Sequence, residues 1–329
     1  MLFVSRHKSR ANSFPPYEML GTVQGGIDAA DQKTRKLERL YHLTQKHSWD
    51  GPSVFNDLIA KHGQPGEGME PEVRDALARI LTVLLWGELA AWNISADLAL
   101  EIKDMDAKLA ATAQVFDEAR HFYVLRDYVT RLGPPVQIGG MPTRLLKKVL
   151  AAPTLCTKLV GMQLLFETNA VVMFRRIGDS GVCPILQELL PYFERDESRH
   201  VGLGVMYVPR LIEEMSRREA ARTARFQFEC TMLLMAAGFT FHADFAKIGL
   251  VPRQMAQRVT NMQDEVIRQM VETHGNRVLS AVLNPKGGIG PKILDFIHPE
   301  DGIDSAPLWH QRVHAGLTGA AFALDKRLS

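Results

Sequence analysis

Four carboxylates and two imidazoles in this chain fall at spacings suited to holding cations. Glu118 and His121 lie in DEARH, residues 117–121, and Glu197 and His200 lie in DESRH, residues 196–200. No other Glu-x-x-His occurs in the sequence. A Glu and a His three residues apart project from one face of a helix. Both copies also share Asp before the Glu and Arg before the His. Thirty residues before Glu118 stands Glu88, and thirty before Glu197 stands Glu167, each inside an apolar stretch. Tyr128 and Tyr207 each follow their His by seven residues, so a longer unit than five letters is repeated.

A chain turn is expected near residue 103, midway between Glu88 and Glu118, and another near 182, midway between Glu167 and Glu197. Helices rise about 1.5 Å per residue, so positions equidistant from a hairpin turn sit level. Each hairpin therefore brings a lone Glu beside a Glu-x-x-His. Two such hairpins make a four-helix bundle in which all six groups converge. Buried carboxylates are costly unless paired or coordinated, and four together repel. Two divalent cations would supply four compensating positive charges. One Glu from each of two helices, with Glu-x-x-His from two more, is the ligand set of a dinuclear carboxylate site. Oxygen and imidazole donors suit iron or manganese rather than a thiophilic metal.

The elements that must position these groups read as helices throughout. The N-terminus to about Gly26 is expected to be loosely structured. Helices are expected over Asp28–Lys46, about Ser53–His62, and Pro71–Ile102, with HGQPGEGMEPE as a loop. A turn over Lys103–Asp106, capped by Asp106, leads into the helix carrying DEARH, which ends at RLGPP, 131–135. A link with a short helix follows. A helix then runs from Pro153 to Ile177. GDSGVCP, 178–184, is a turn, and the helix carrying DESRH reaches about Met215. Further helices are expected over Arg217–Lys247, Pro252–Val282 and Pro307–Asp325, with NPKGGIGP as a loop. The expectation is one all-α domain: an N-terminal extension over 1–70 with short helices packing on the bundle, the bundle over 71–215, and additional helices over 216–329.

Over about residues 71–215 the chain resembles the ferritin-like di-iron carboxylate superfamily. The resemblance is to the side that includes ribonucleotide reductase small subunits, bacterial multicomponent monooxygenases, acyl-carrier desaturases and arylamine N-oxygenases. It implies that Glu118 and Glu197 bridge two metals, that Glu88 and Glu167 are terminal ligands, and that His121 and His200 serve one metal each. It also implies that Asp196 orients His121 and Asp117 orients His200, fixing the imidazole tautomer. Two iron ions, or a manganese–iron pair, with dioxygen as co-substrate, are the implied cofactors.

Departures narrow this reading. A radical-generating subunit carries Tyr one turn past the first motif His, where this chain has Leu125. Hydroxylases and desaturases place Thr one turn after the third-helix Glu, where this chain has Ala170 and Val171; Thr168 points elsewhere. N-oxygenases carry a His four residues before the second motif Glu, where this chain has Phe193. Glu194 is an extra ligand or base on one reading and a salt-bridged edge residue on the other, the second being favoured. Arg120 and Arg199 are expected in outer-face salt bridges, Tyr128 and Tyr207 in the core, and Trp49 in interface packing. Trp86, Trp92 and His242 are expected in the core. Phe116, Ala91, Trp92, Ala170 and Val171 either line a substrate cavity or are ordinary core.

Net charge is +2, from 39 basic and 37 acidic residues, which gives no bulk case for a nucleic-acid or membrane partner. The basic start, Arg6 to Arg10, reads as a solvated tail. Cys156, Cys183 and Cys230 are widely spaced, which argues against a disulfide framework or thiolate site. MLFVSRHKSR lacks the apolar stretch of a cleavable signal, and Ile80–Ile94, interrupted by Glu88, falls short of a membrane span. A cytoplasmic location is expected. The leading functional expectation is an oxygen-activating di-iron oxidase or monooxygenase acting on a small organic substrate. It would take electrons from a separate donor, since no flavin, Rossmann or iron–sulfur signature appears. A homodimer is compatible with this. The alternatives are a ferroxidase or iron-binding protein, and a helical interaction protein with a structural metal pair. More than a hundred residues beyond the second motif favour the first, because they can cover the bundle and shape a pocket.

Overall fold

In the computed structural model, the residues described are 32–134, 136–274, 282–283, 294–296, 299–300 and 303–328. Among them the regular structure is helical, with no strand. Helices α1 (Gln32–Lys46) and α2 (Gly51–His62) precede the first hairpin, formed by α3 (Pro71–Glu101) and α4 (Met105–Leu132). Helix α5 (Gly140–Leu150) lies in the link. The second hairpin begins with α6 (Leu155–Leu159), continues through a π-helical segment (Val160–Phe166) into α7 (Glu167–Asp179), and returns as α8 (Pro184–Glu213). Helices α9 (Arg217–Thr240), α10 (His242–Lys247), α11 (Pro252–His274) and α12 (Leu308–Leu328) complete the described chain.

The hairpin loops fall at 102–104 and 180–183, around the two midpoints that the spacing predicts. Helix α3 packs along α4, and α7 along α8. Each start has a local cause. Pro71 and Pro184 occupy first-turn positions, where their missing N–H costs nothing. Asp104, not Asp106, caps α4: its side chain accepts from Ala107 N at 2.9 Å. The helix begins one residue before Asp106, which therefore sits in the first turn, where a negative charge meets the positive end of the helix dipole.

Two apolar layers enclose the level at which the six groups sit. One is built from Ile94, Leu98, Ala107, Ala111, Leu159 and Leu203, among others. The other includes Leu77, Leu81, Leu125, Tyr128, Leu186 and Leu190. Burying one such Leu or Ile side chain contributes about 1.5–3 kcal/mol, so the layers can carry a costly acidic plane between them. Helix α1 lies across α4 and α8, while α9 covers α5, and α11 covers α7 and α8.

Several expectations change. The helix expected over Arg217–Lys247 breaks at Phe241, where Thr240 bonds back to the Ala237 carbonyl and Phe241 N to Gly238 O, tightening the turn. His242, expected in the core, is exposed at the start of α10. Trp86 and Trp92 are 44% and 36% exposed, because they point off the inward line set by Glu88 and Ala91. Helix α3 is long and apolar enough to cross a membrane by composition, contrary to the expectation for Ile80–Ile94, but 61% of its apolar window is buried against the rest of the protein. The expected start to Gly26, the first residues of the Asp28–Lys46 helix, the stretch 275–281 of the Pro252–Val282 helix and the loop NPKGGIGP lie outside the described residues. The three cysteines are free and buried.

Candidate metal centre

The bundle brings Glu88 from α3, Glu118 and His121 from α4, Glu167 from the first position of α7, and Glu197 and His200 from α8 into one buried plane. Donor atoms of Glu88, Glu118, His121 and Glu197 lie within 4.8 Å of one another, as do those of Glu118, Glu167, Glu197 and His200. Glu118 and Glu197 belong to both groups. His121 Nδ1 is 3.0 Å from Glu197 Oε1 and 3.3 Å from Glu88 Oε2. His200 Nδ1 is 3.1 Å from Glu118 Oε1 and 3.0 Å from Glu197 Oε2. Both rings thus turn Nδ1 inward.

Nε2 of each ring faces the Asp of the other motif: His121 to Asp196 Oδ2 at 3.2 Å, His200 to Asp117 Oδ2 at 3.4 Å. These aspartates fix the tautomer that leaves Nδ1 free for a ligand. Arg120 and Arg199, expected at the outer face, are buried instead. Arg120 reaches Asp196 Oδ2 at 2.8 Å and also bonds Asp117. Arg199 reaches Asp196 Oδ1 at 2.6 Å and Asp117 Oδ2 at 3.2 Å. Two guanidiniums against two carboxylates make a neutral lattice, which is why four charges tolerate this depth. Trp49 is also buried, and its Nε1 donates to Asp196 Oδ2 at 2.7 Å. The loop between α1 and α2 is thereby tied to the imidazole of His121, a tighter role than the expected interface packing.

Sequence reasoning missed Gln114 and Gln163. Gln114 Nε2 donates to Glu118 Oε1 at 2.9 Å and to Glu167 Oε1 at 2.6 Å, and Gln163 Nε2 donates to Gln114 Oε1 at 3.0 Å. Both precede an acidic residue by four, one helical turn, and a glutamine at that offset in an apolar helix is the signal that could have found them. Gly204 makes room: a Cβ there would lie 2.5 Å from Gln163 Cβ. On the other side Phe193 stacks on His121 with ring centroids 4.4 Å apart. The duplicated halves are therefore unequal, one lined by amides and one by aromatics.

Protons hold the charge balance in the absence of cations. Burial, then the charge of Glu197, pushes the Glu88 and Glu167 carboxyls well above their usual range. Burial also opposes ionisation of Glu197, but the hydrogen bond from Glu167 and the two imidazoles outweigh it and hold it low. Burial disfavours charged imidazoles, yet facing carboxylates hold both His121 and His200 well above the ordinary histidine value. Even so, Glu88 Oε2, Glu118 Oε2 and His121 Nδ1 are buried without a hydrogen-bond partner. Groups close together but not aligned on one another are aimed at a shared centre. The donor set and its orphaned atoms fit a pair of cations.

Glu194 lies outside the cluster, its Oε1 accepting from both Nε, at 3.0 Å, and Nη2 of Arg175. A cavity of about 350 Å³ reaches Glu88 and Glu167 and includes Ala91 and Ala170 in its wall. Phe116, Trp92 and Val171 do not line it. Phe116 is 58% exposed, with the Arg120 guanidinium over its ring.

A buried carboxylate–imidazole plane inside two antiparallel hairpins defines a ferritin-like helical-bundle protein with a centre able to hold a metal pair. Two solved structures share the fold. A protein from Synechococcus with aldehyde deformylating oxidase activity aligns at 19% identity over 64% of this chain and 95% of its own, with a TM-score of 0.51. A variant of an R2-like ligand-binding oxidase with an aerobically reconstituted Mn/Fe cofactor aligns at 15% identity over 73% of this chain and 93% of its own, with a TM-score of 0.54. No protein-family model and no curated protein sequence matches the chain.

Proposed function

We propose that Glu88, Glu118, His121, Glu167, Glu197 and His200 hold two iron ions, or one manganese and one iron, and that the protein is an oxygen-activating oxidase or monooxygenase of a small organic substrate. Glu118 and Glu197, which belong to both donor groups, would serve both cations, with Glu88 and His121 available to one and Glu167 and His200 to the other. Such a metal pair supplies the electrons for reductive activation of dioxygen. The chain's own residues supply the rest. Asp196 and Asp117 hold the Nε2 protons of His121 and His200, keeping each Nδ1 lone pair turned inward. The apolar layers exclude water. A separate protein donates electrons, in the cytoplasm.

The cavity against Glu88 and Glu167 carries this reading, because oxidation of an organic substrate needs room beside the metals and iron handling does not. Both structural neighbours are described as oxidases, which supports the same class. Anaerobic titration with ferrous iron, followed by oxygen, tests it. Saturation at two irons per chain, with oxygen uptake that depends on reductant and stops without mineral growth, is expected. Ferric mineral accumulating well beyond two irons per chain would instead assign a ferroxidase or iron-binding role.

A further inference from the structure

At α10 a single short helix stands between the cavity and solvent. Phe245 on α10 and Phe241 just before it line the cavity, with ring centroids 6.5 Å apart. On the other face of the same turn, His242, Ala243, Ala246 and Lys247 are exposed. The helix has only six residues. A helix this short is not stable by itself, so its place depends on what fastens it.

Both of its ends can bend. Upstream, α9 stops at Thr240, and Gly238 in its last turn is exposed, with nothing within 4 Å of a Cβ built there. Downstream, Gly249 has φ +78°, a left-handed conformation that favours glycine. Between these ends a charged contact ties α10 to α3. Asp244, 7% exposed, accepts from Arg79 Nε at 3.1 Å through both carboxylate oxygens, and from Arg79 Nη2. A second ion pair, Lys247 to Glu72 at 3.9 Å, is exposed and weak. Ile80, the residue after Arg79, lines the cavity, so the Arg79–Asp244 pair stands at its rim. Separating this pair outward returns both charges to water, so the cost of opening stays moderate.

We infer that α10 is the door through which an apolar ligand enters the cavity, hinged at Gly238–Phe241 and at Gly249 and latched by Arg79 to Asp244. Opening swings Phe241 and Phe245 off the cavity. Leu250, 2% exposed just beyond Gly249, stays anchored in the core. Reburial of Phe245 and return of Asp244 to Arg79 close the wall again behind the ligand. The inference rests on the oxidase reading only in calling that ligand a substrate.

Stopped-flow binding of naphthalene to the anaerobic iron-loaded protein, with hydrogen exchange of the 242–249 amides, tests this. A door changes how fast a ligand passes and leaves the bound equilibrium alone. Arg79→Met should therefore raise the association and dissociation rates together by at least about tenfold, with Kd nearly unchanged, the scale of a lost hydrogen bond to a charged group. Exchange at 242–249 should quicken by a similar factor. Gly238→Ala meets no neighbour and stiffens the hinge, so both rates should fall by about two- to fivefold. If Arg79→Met does not fold, Gly238→Ala decides. Rates unchanged in both variants would overturn the assignment, as would a changed Kd with unchanged exchange at 242–249. Naphthalene that does not bind would overturn it too, since the cavity would then admit no apolar body. Iron content is measured on the same samples. Two irons per chain with unchanged rates reject the door alone. The expected rates in protein that takes up no iron reject the oxidase reading and support the door.

Discussion

Gln114 Nε2 sits 2.6 Å from Glu167 Oε1 while also bonding Glu118, its own neighbour one turn on. A single neutral amide thus ties a carboxylate shared by both donor groups to one that belongs only to the His200 side. Phe193 occupies the related place near His121, so the two halves of the centre differ in polarity. Gln114→Leu is expected to weaken one of two ferrous ions by about tenfold, near the low end of what outer-shell partners contribute, while the other stays bound. An anaerobic binding isotherm resolves the two. Two unchanged affinities would remove Gln114 from any such role.

Glu118 and Glu197 appear in both donor groups, so neither can be lost without damage to both. Glu118→Ala or Glu197→Ala should abolish binding of at least one metal, read as metal per chain by elemental analysis. A variant that retains two irons would defeat the ligand assignment.

Trp49 Nε1 donates to a buried carboxylate, Asp196, which also holds His121. Hydrogen bonds to charged groups contribute roughly 1.5–3 kcal/mol, so Trp49→Phe should destabilise the protein by about that amount. Denaturant unfolding measures it. A midpoint equal to that of the parent protein would show that the bond stabilises nothing.

Metal loading should release protons. Glu88, Glu167, His121 and His200 all have folded values above their ordinary ones, so the metal-free protein retains protons there that cations must displace. Apparent affinity therefore rises with pH while these groups remain protonated and levels off once they are not. Calorimetry in buffers of different ionisation enthalpy counts the protons. Affinity that is flat from acid to alkaline pH contradicts the charge balance described.

Ala170, one turn beyond Glu167, lines the cavity. Ala170→Phe fills space that a substrate would occupy, so organic turnover should fall by at least about tenfold while two irons still bind. Undiminished turnover with full iron content would place the substrate elsewhere.

The sequence by itself determined what is periodic. The thirty-residue interval, the two Glu-x-x-His pairs and the turn signals around 103 and 182 specify two hairpins, because helical rise is constant and register follows from counting. That Asp196 faces His121 and Asp117 faces His200 was implied only by the resemblance to di-iron carboxylate proteins, and the structure places them so. Contacts between elements distant in the chain were decided only by the tertiary structure. Arg120 and Arg199 are ordinary helix arginines until two aspartates from opposite hairpins enclose them. Trp49 becomes a partner of Asp196 because a loop crosses the bundle at that level. Gln163 packs close against α8 because Gly204 carries no Cβ, and from there it bonds Gln114 on α4. The cavity arises where α9 and α11 fold back over α3 and α7. Local spacing encodes which face a side chain occupies, but burial depends on what arrives opposite it, and that is a property of the assembled bundle.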